Sequence, residues 1–398
     1  MKASTENETH AVGKRPEGWI VKRLGDICSV NRGGSPRPIQ NYLTDDPDGI
    51  NWIKIGDVGV GAKYIDTTEE RITPDGVNRS RVVREGDFLI SNSMSFGRPY
   101  ILRTGGCIHD GWLVIQNYDA AFDREYLYYY LSSSAVVVQY KRLAAGSSVL
   151  NLNKQLVNTI SVVIPPLEEQ RAIAAALSDV DALLDGLDRL IDKKRGLKQA
   201  AMQQLLTGQT RLPGFHGEWE QKQLGEIVEI QKGQLITSDT IVPGDVPVIA
   251  GGKQPAYFHN AANRRGRTIT ISASGASAGY VALYSIPIFA SDCSTISEGP
   301  NYSLDFIYFQ LLMKQQLIYM NQTGGAQPHI HAVDLLPLAV QVPPLNEQTA
   351  IASVLSDMDA ELVALEARRV KTRYLKQAMM QEVLTGRTRL VPPQATDA

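Results

Sequence analysis

The chain has 398 residues, of which 43% are hydrophobic, and a formal net charge of −2 at pH 7. This length allows more than one hydrophobic core, and the charge excludes a uniformly basic surface while leaving room for local basic patches. No segment approaches the roughly 18 consecutive apolar residues of a membrane span. The three cysteines lie too far apart for a disulfide framework or a zinc site. We therefore expect a cytoplasmic protein without a metal site and without membrane contact.

A polar N-terminal tail over residues 1–17 precedes a first domain that we predict over residues 18–164. Its short β-branched and aromatic runs, such as "INWIKIGDV" and "GDFLISNSM", are separated by Gly, Pro, Asn and Asp. This pattern is typical of strands joined by turns. One helix is predicted near the end of the domain, over "DREYLYYYLSSSAVVVQYKRL". The first domain is therefore expected to be α+β.

Residues 165–212 predict a single long helix. A Pro-Pro pair gives its start an extended entry, and two glutamates follow in the first turn, where the helix dipole favours acidic groups. Apolar residues then recur in alternating steps of four and three, which is the spacing of a coiled-coil seam. The helix should end at Gly208, a residue suited to the position after a helix. About 39 helical residues make a rod of roughly 60 Å.

A second α+β domain is predicted over residues 213–342, with short strands such as "TITISAS" and one helix over "DFIYFQLLMKQQLIYM". A second long helix, over residues 343–390, repeats the first without a gap, with 29 of 48 positions identical, and a tail over 391–398 follows. The two domains also begin alike, with "GWIVKRLGDI" and "GEWEQKQLGEI", at an offset of 200 residues. Each half is thus a variable domain followed by the same helix.

The two long helices each have an apolar stripe that must be buried, and the equal spacing of the stripes favours packing of one helix on the other. An antiparallel pairing would hold the two variable domains at opposite ends of a rod. The alternative is two independent amphipathic helices, each lying on its own domain. The residues predicted to pack between the helices are Ile173, Leu177, Val180, Leu184, Leu187, Ile351, Leu355, Met358, Leu362 and Leu365.

Each domain contains a long segment without acidic residues. Phe88–His109 and Val246–Ser291 contain no Asp or Glu, although basic and polar residues are present in or next to both. Lys and Arg on phosphates supply most of the affinity for DNA, and polar side chains on base edges supply specificity. Solvated loop charges are the alternative for any one of these residues. The DNA-binding candidates are Arg79, Arg81, Arg84, Asn92, Arg98, Arg103, Lys253, Gln254, Arg264, Arg265, Arg267, Ser272 and Ser274.

The chain is predicted to be non-catalytic, with no catalytic residues. The segment "IPPL" has the prolines of an adenine methyltransferase motif but neither the polar nor the aromatic residue that would hold a flipped base. The segment "GGKQ" lacks the first glycine and the Ser or Thr of a phosphate loop. No Ser-His-Asp order or nuclease carboxylate cluster is evident.

The repeated block, with the pattern PPLxEQxAIAxxLSDxDA…LKQAxMQxxLTGxTRL, resembles the central and C-terminal conserved regions of specificity (S) subunits of Type I restriction-modification systems. The segments "NWIKIGDV" and "EGDFLISNS" are similar to motifs in the target recognition domains of that family. The resemblance implies an α+β protein in which two target-recognition domains are separated by two long antiparallel coiled-coil helices. The two halves would then be related by a pseudo-twofold internal repeat.

The resemblance also implies a function. It implies a subunit that reads a bipartite target in double-stranded DNA, one half-site per domain, and recruits two modification (methyltransferase) subunits and restriction (translocase/nuclease) subunits. No cofactor is expected on this chain, whereas S-adenosylmethionine, ATP and magnesium are expected on the partner subunits. The residues alone leave open an alternative, a coiled-coil scaffold with two peptide- or protein-binding domains.

Overall fold

The computed structural model describes residues 16–59, 61–92, 96–144, 152–325 and 327–392. The chain divides into two compact units, one formed by Met1–Asp185 with Val370–Ala398 and the other by Gly186–Arg369. Most of the two predicted tails lies outside the described residues. Within the described part of the chain, no helix is long and apolar enough to cross a membrane.

In the part of the first unit that the structure describes, twelve strands form three sheets. A two-stranded sheet pairs β1 with β12, and two five-stranded sheets have the orders β3-β6-β4-β10-β7 and β2-β11-β8-β9-β5. The strands are β1 (Ile20–Arg23), β2 (Ser29–Arg32), β3 (Leu43–Thr44), β4 (Ile50–Ile53), β5 (Tyr64–Ile65), β6 (Glu70–Ile72), β7 (Arg81–Val83), β8 (Phe88–Ser91), β9 (Pro99–Leu102), β10 (Gly106–Ile108), β11 (Trp112–Gln116) and β12 (Ser161–Ile164). The runs "INWIKIGDV" and "GDFLISNSM" contain β4 and β8, as predicted.

The helices of the first domain are α1 (Pro74–Val77), α2 (Arg124–Leu131), α3 (Ser134–Ala144) and α4 (Lys154–Thr159). The prediction of one helix near the end of this domain was wrong, because α2 and α3 are separate. The Ser132 hydroxyl donates to the carbonyl of Tyr128 at 2.7 Å, and the Ser133 hydroxyl accepts from the backbone N–H of Val136 at 3.4 Å. The two serines thus end one helix and begin the next.

Among the described residues of the second unit, nine strands form three smaller sheets. Their orders are β13-β21, β14-β20-β17-β18 and β16-β15-β19. The strands are β13 (Glu220–Gln223), β14 (Gln231–Lys232), β15 (Val246–Ile249), β16 (Tyr257–His259), β17 (Thr268–Ser272), β18 (Val281–Tyr284), β19 (Phe289–Ala290), β20 (Cys293–Ser297) and β21 (Ala339–Val342). Its short helices are α6 (Leu224–Ile227), α7 (Leu304–Met313), α8 (Gln315–Met320) and α9 (Ala332–Leu335). Here too the one predicted helix is two, α7 and α8, because Lys314 leaves the helical conformation between them.

Both predicted long helices are present. The first, α5, spans Leu167–Leu206 with 40 residues, and the second, α10, spans Leu345–Val383 with 39 residues. Each is followed by a glycine with positive φ, Gly208 at 73° and Gly386 at 72°, and this conformation favours glycine at the end of a helix. The helix end predicted at Gly208 is therefore confirmed.

Each unit has one main core, to which one end of each long helix contributes. In the first unit, Ile173 and Leu177 of α5 lie in the same cluster as Val383 and Leu384, at the end of α10. In the second unit the corresponding cluster contains Leu205 and Leu206 with Ile351 and Leu355. The ends of the helices therefore pack into the domain cores. Among the other residues predicted to pack between the helices, Leu187 and Leu362 are buried, and Val180, Leu184, Met358 and Leu365 are half-buried.

Ion pairs join the helical segments within each unit. In the second unit, ion pairs run from Asp188 with Arg369 at 2.8 Å, through Lys194 with Glu361 at 2.7 Å and Arg195 with Glu366 at 2.5 Å, to Lys198 with Asp359. Since residues late in the α5 segment pair with residues early in the α10 segment, the two segments run antiparallel there. In the first unit, Asp181 pairs with Lys376. Such partly exposed pairs contribute little stability each, but they favour one register.

Candidate nucleic-acid interface

A buried contact that both halves repeat lies at the start of α5 in the first unit. The carboxylate of Glu169, in the first turn of α5, is only 2% exposed. It accepts hydrogen bonds from the guanidinium of Arg389 at 2.5 and 2.8 Å and from the indole Nε1 of Trp19 at 2.8 Å. The contact therefore joins the start of the domain, the start of α5 and the segment that follows α10.

The same contact recurs in the second unit. Glu347, 1% exposed, accepts from Arg211 at 2.5 and 2.6 Å and from the Nε1 of Trp219 at 3.2 Å. The glutamate, arginine and tryptophan that the two halves share are thus occupied in holding domain and helix together, and they are not free for a ligand.

In the first domain, five of the candidate residues are arginines. Arg79, Arg81 and Arg84 are exposed. Arg103 is also exposed, although it lies 3.5 Å from the carboxylate of Asp66. Arg98 is half-buried and donates to the carbonyl of Ala62 at 3.3 Å. The first three arginines are therefore the most accessible cations of this set.

Two candidates are buried. Asn92 is 5% exposed and donates through Nδ2 to the carbonyl of Asp110 at 3.3 Å. Ser272 is 3% exposed, and its hydroxyl donates to the carbonyl of Gly251 at 2.8 Å. Because neither side chain faces solvent, we leave both out of the proposed interface.

In the second domain, Lys253, Gln254 and Arg265 are exposed. The Nζ atom of Lys253 lies 5.5 Å from the centre of the Tyr280 ring, within the range of a cation–π contact. Because they are exposed, these three side chains can reach an anionic or polar ligand.

The remaining candidates of the second domain are held by the protein itself. The guanidinium of Arg264 donates to three oxygens, which belong to Thr295, Asn263 and Lys232, at 3.0 to 3.3 Å. Both terminal nitrogens of Arg267 donate to Asp305, one of them at 2.8 Å, so its charge is compensated. The hydroxyl of Ser274 donates to Asp292.

Sequence reasoning missed one basic position that recurs. Arg32 ends β2 and Lys232 ends β14, and both are exposed. Each precedes a glycine that packs tightly, because an added Cβ would lie 2.1 Å from a backbone oxygen at Gly33 and 2.0 Å at Gly233. The two Arg/Lys-Gly pairs are 200 residues apart, as are the two domain openings. Extending that alignment by a few residues would have found them.

Asp110 lies beside Arg32, because the Nε of Arg32 donates to the backbone carbonyl of Asp110 at 3.0 Å. The partners of the Asp110 carboxylate are the hydroxyl of Ser35 at 2.8 Å, the guanidinium of Arg37 at 3.3 Å and the Nε2 of His109 at 3.1 Å. Partial burial alone raises the pKa of Asp110, but the Ser35 hydrogen bond and the charges of His109, Arg37 and Arg32 together hold that pKa below its usual value. Asp110 is therefore ionised at neutral pH and already has its own partners.

The exposed candidate residues of the two domains are six cations and one amide, and this chemistry suits an anionic polymer with polar edges. Within the residues that the structure describes, no cluster of three or more His, Cys, Asp or Glu side chains could hold a metal ion.

The family model described as the Type I restriction modification DNA specificity domain matches the chain twice, over residues 16–193 and 216–372. The chain therefore belongs to the specificity subunits of Type I restriction-modification systems. Each match begins at the start of a domain and runs into the long helix that follows. The family resemblance noted in the repeated block is thus confirmed.

Similar proteins span nearly the whole chain. The MjaVIII specificity subunit of Methanocaldococcus jannaschii is 24% identical over an alignment 417 positions long, which covers 94% of each chain. The EcoprrI specificity subunit of Escherichia coli is 21% identical over 89% of this chain and 90% of its own. Among solved structures, the S subunit from M. genitalium matches with a TM-score of 0.62 at 17% identity, over 93% of this chain and 96% of its own. A chain from a type I R-M system matches with a TM-score of 0.63 at 20% identity, over 94% of this chain and 100% of its own.

Proposed function

We propose that this chain reads a bipartite target in double-stranded DNA, one half-site with residues 18–164 and the other with residues 213–342. The proposal rests on one observation: the same contact attaches two unlike domains to the long helices. The Trp-Glu-Arg contact is the same in both units, whereas the sheets above it differ in the number of strands and in the exposed side chains. A common attachment under different surfaces suits two recognition domains with different targets.

We also propose that the long helices, within residues 165–212 and 343–390, form an antiparallel coiled coil that sets the spacing between the half-sites. Helices of 40 and 39 residues are each about 60 Å long. The ion pairs of each unit support one register of the two helices, and the internal repeat supports a pseudo-twofold relation between the halves. The residues 1–17 and 391–398 would be tails.

Catalysis belongs, in this proposal, to partner subunits. Two modification subunits would bind S-adenosylmethionine and methylate adenine, and restriction subunits would use ATP and magnesium. This chain would supply specificity in the cytoplasm, where the DNA lies, and would itself be non-catalytic. The assembly named for the similar type I R-M system supports such partners.

The test is methyl transfer by purified components. The chain is mixed with its cognate modification subunit, S-adenosylmethionine and genomic DNA, and methylated positions are mapped by sequencing. We expect adenine methylation at one bipartite sequence, and none from either protein alone. Methyl transfer by this chain alone would contradict the non-catalytic role. A complex that binds peptides but leaves DNA unmodified and unbound would instead favour the scaffold function.

A further inference from the structure

Two kinds of DNA contact should behave differently in a protein with two unlike recognition domains. Contacts to base edges must differ between the domains if their half-sites differ, whereas contacts to phosphates carry no sequence information and can recur. A basic residue that is followed by the same kind of turn in both domains is therefore a candidate for phosphate binding.

In the first domain such a feature lies at the end of β2. Arg32 is exposed, and its Nε donates to the carbonyl of Asp110 at 3.0 Å. The Nε of Arg81, on β7, donates to the carbonyl of Arg32 at 3.4 Å. The N–H of Gly33 donates to the carbonyl of Trp112 at 2.9 Å, which fixes the turn. Two cationic side chains thus meet at one exposed turn.

The second domain repeats this arrangement at the end of β14. Lys232 is exposed, and the Nη2 of Arg264 donates to its carbonyl at 3.3 Å. The N–H of Gly233 donates to the carbonyl of Cys293 at 2.8 Å. The exposed residue differs in type, Arg in one domain and Lys in the other, but both carry a positive charge. The charge of this residue and the backbone hydrogen bond of the glycine after it are thus the same in both domains.

Within the described parts of the chain, no carboxylate forms an ion pair with the cations of these turns, because no acidic oxygen lies within 4.0 Å of a side-chain nitrogen of Arg32, Arg81, Lys232 or Arg264. The nearby Asp110 is already bound to Ser35 and Arg37. Like charges at one turn repel each other, and a bound anion reduces that repulsion.

We propose that these two turns, with Arg32 and Lys232 as the contacting residues, bind the phosphate backbone of the DNA, one turn in each domain. Arg81 and Arg264 position the turns through their bonds to the backbone. The inference rests on the proposed DNA-reading function and adds to it the residues that place each domain on the duplex independently of sequence.

The test is the salt dependence of binding to a duplex of random sequence, because phosphate contacts do not depend on the target. The full chain is titrated with a fluorescent duplex between about 50 and 200 mM salt, and each phosphate contact contributes about 0.9 to the slope of log K against log salt. The test variant is Arg32→Gln with Lys232→Gln. Its matched control is Lys22→Gln with Lys222→Gln, since these exposed lysines of β1 and β13 are also 200 residues apart.

We expect the test variant to lower the magnitude of the slope by about 1.8 and the control to leave it nearly unchanged. Arg32→Lys should keep the slope, because the equivalent residue is a lysine. Equal slopes for the test and control variants, with wild-type binding intact, would overturn this inference and leave the proposed function standing. Failure of the wild-type chain to bind DNA, even with its modification subunit, would overturn the proposed function itself. Unfolding midpoints close to wild type verify that the exposed substitutions preserve the fold.

Discussion

Replacing Glu169 with alanine should destabilise the first unit strongly, because this carboxylate is the buried centre of the repeated contact. It accepts three hydrogen bonds, two from Arg389 and one from Trp19. Removing one partner of a buried ion pair costs about 3–5 kcal/mol. The side chain of Arg389 is 20% exposed and can regain some water, so we expect a loss near 3 kcal/mol, at the lower end of this range.

The assay is urea unfolding followed by tryptophan emission, since Trp19, Trp52 and Trp112 all lie in the first unit. With a denaturant slope of about 3 kcal/mol per molar urea, the midpoint should fall by about 1 M. The control is Glu168→Ala, which removes an exposed carboxylate from the same first turn and so loses a similar interaction with the helix dipole. Equal midpoints for the two variants would refute the assignment of Glu169 as a structural centre.

Three further predictions concern the helices and the second domain. Four residues inserted within Ala182–Leu190 should lengthen α5 by about 6 Å, nearly two base-pair rises of about 3.4 Å. Sequencing of the methylated sites should then show a spacer one or two base pairs longer with both half-sites unaltered, and an active variant with the original spacing would limit the helices to a docking role. Arg265→Ala should lower the salt slope of DNA binding by about 0.9 without changing the unfolding midpoint, since this arginine is exposed. Arg267→Ala should lower the unfolding midpoint and leave the salt slope unchanged, because it removes the ion-pair partner of Asp305. Equal salt slopes for the two variants would show that the Arg267–Asp305 ion pair opens to DNA.

The long helices could be predicted from the sequence because the features that determine them are local and occur in both halves of the chain. The apolar spacing, the Pro-Pro entry and the closing glycines each act within a few residues, and both copies agree. The breaks at Ser132 and Lys314 were missed, because the apolar pattern continues through them. Only the serine hydrogen bonds and the conformation of the lysine end the helix there.

The candidate interface was less predictable, because whether a charged side chain is paired or free depends on residues far away in the sequence. Arg265 and Arg267 look alike in the sequence, yet a carboxylate 38 residues after Arg267 compensates its charge. Ser272 lies in an acid-free run but points into the protein. Arg32 and Lys232 lie outside the acid-free runs, and only their equivalent positions in the two domains distinguish them.

The central claim, one half-site per domain, is tested most directly by exchanging a domain. Residues Gly217 to Val342 are replaced by the corresponding domain of a specificity subunit whose bipartite target is known, and the methylated sites of cells that carry the chimera and its modification subunit are sequenced. The account predicts that one half-site changes to that of the donor while the other half-site stays the same. A chimera that methylates DNA with both half-sites changed, or with neither changed, would contradict it.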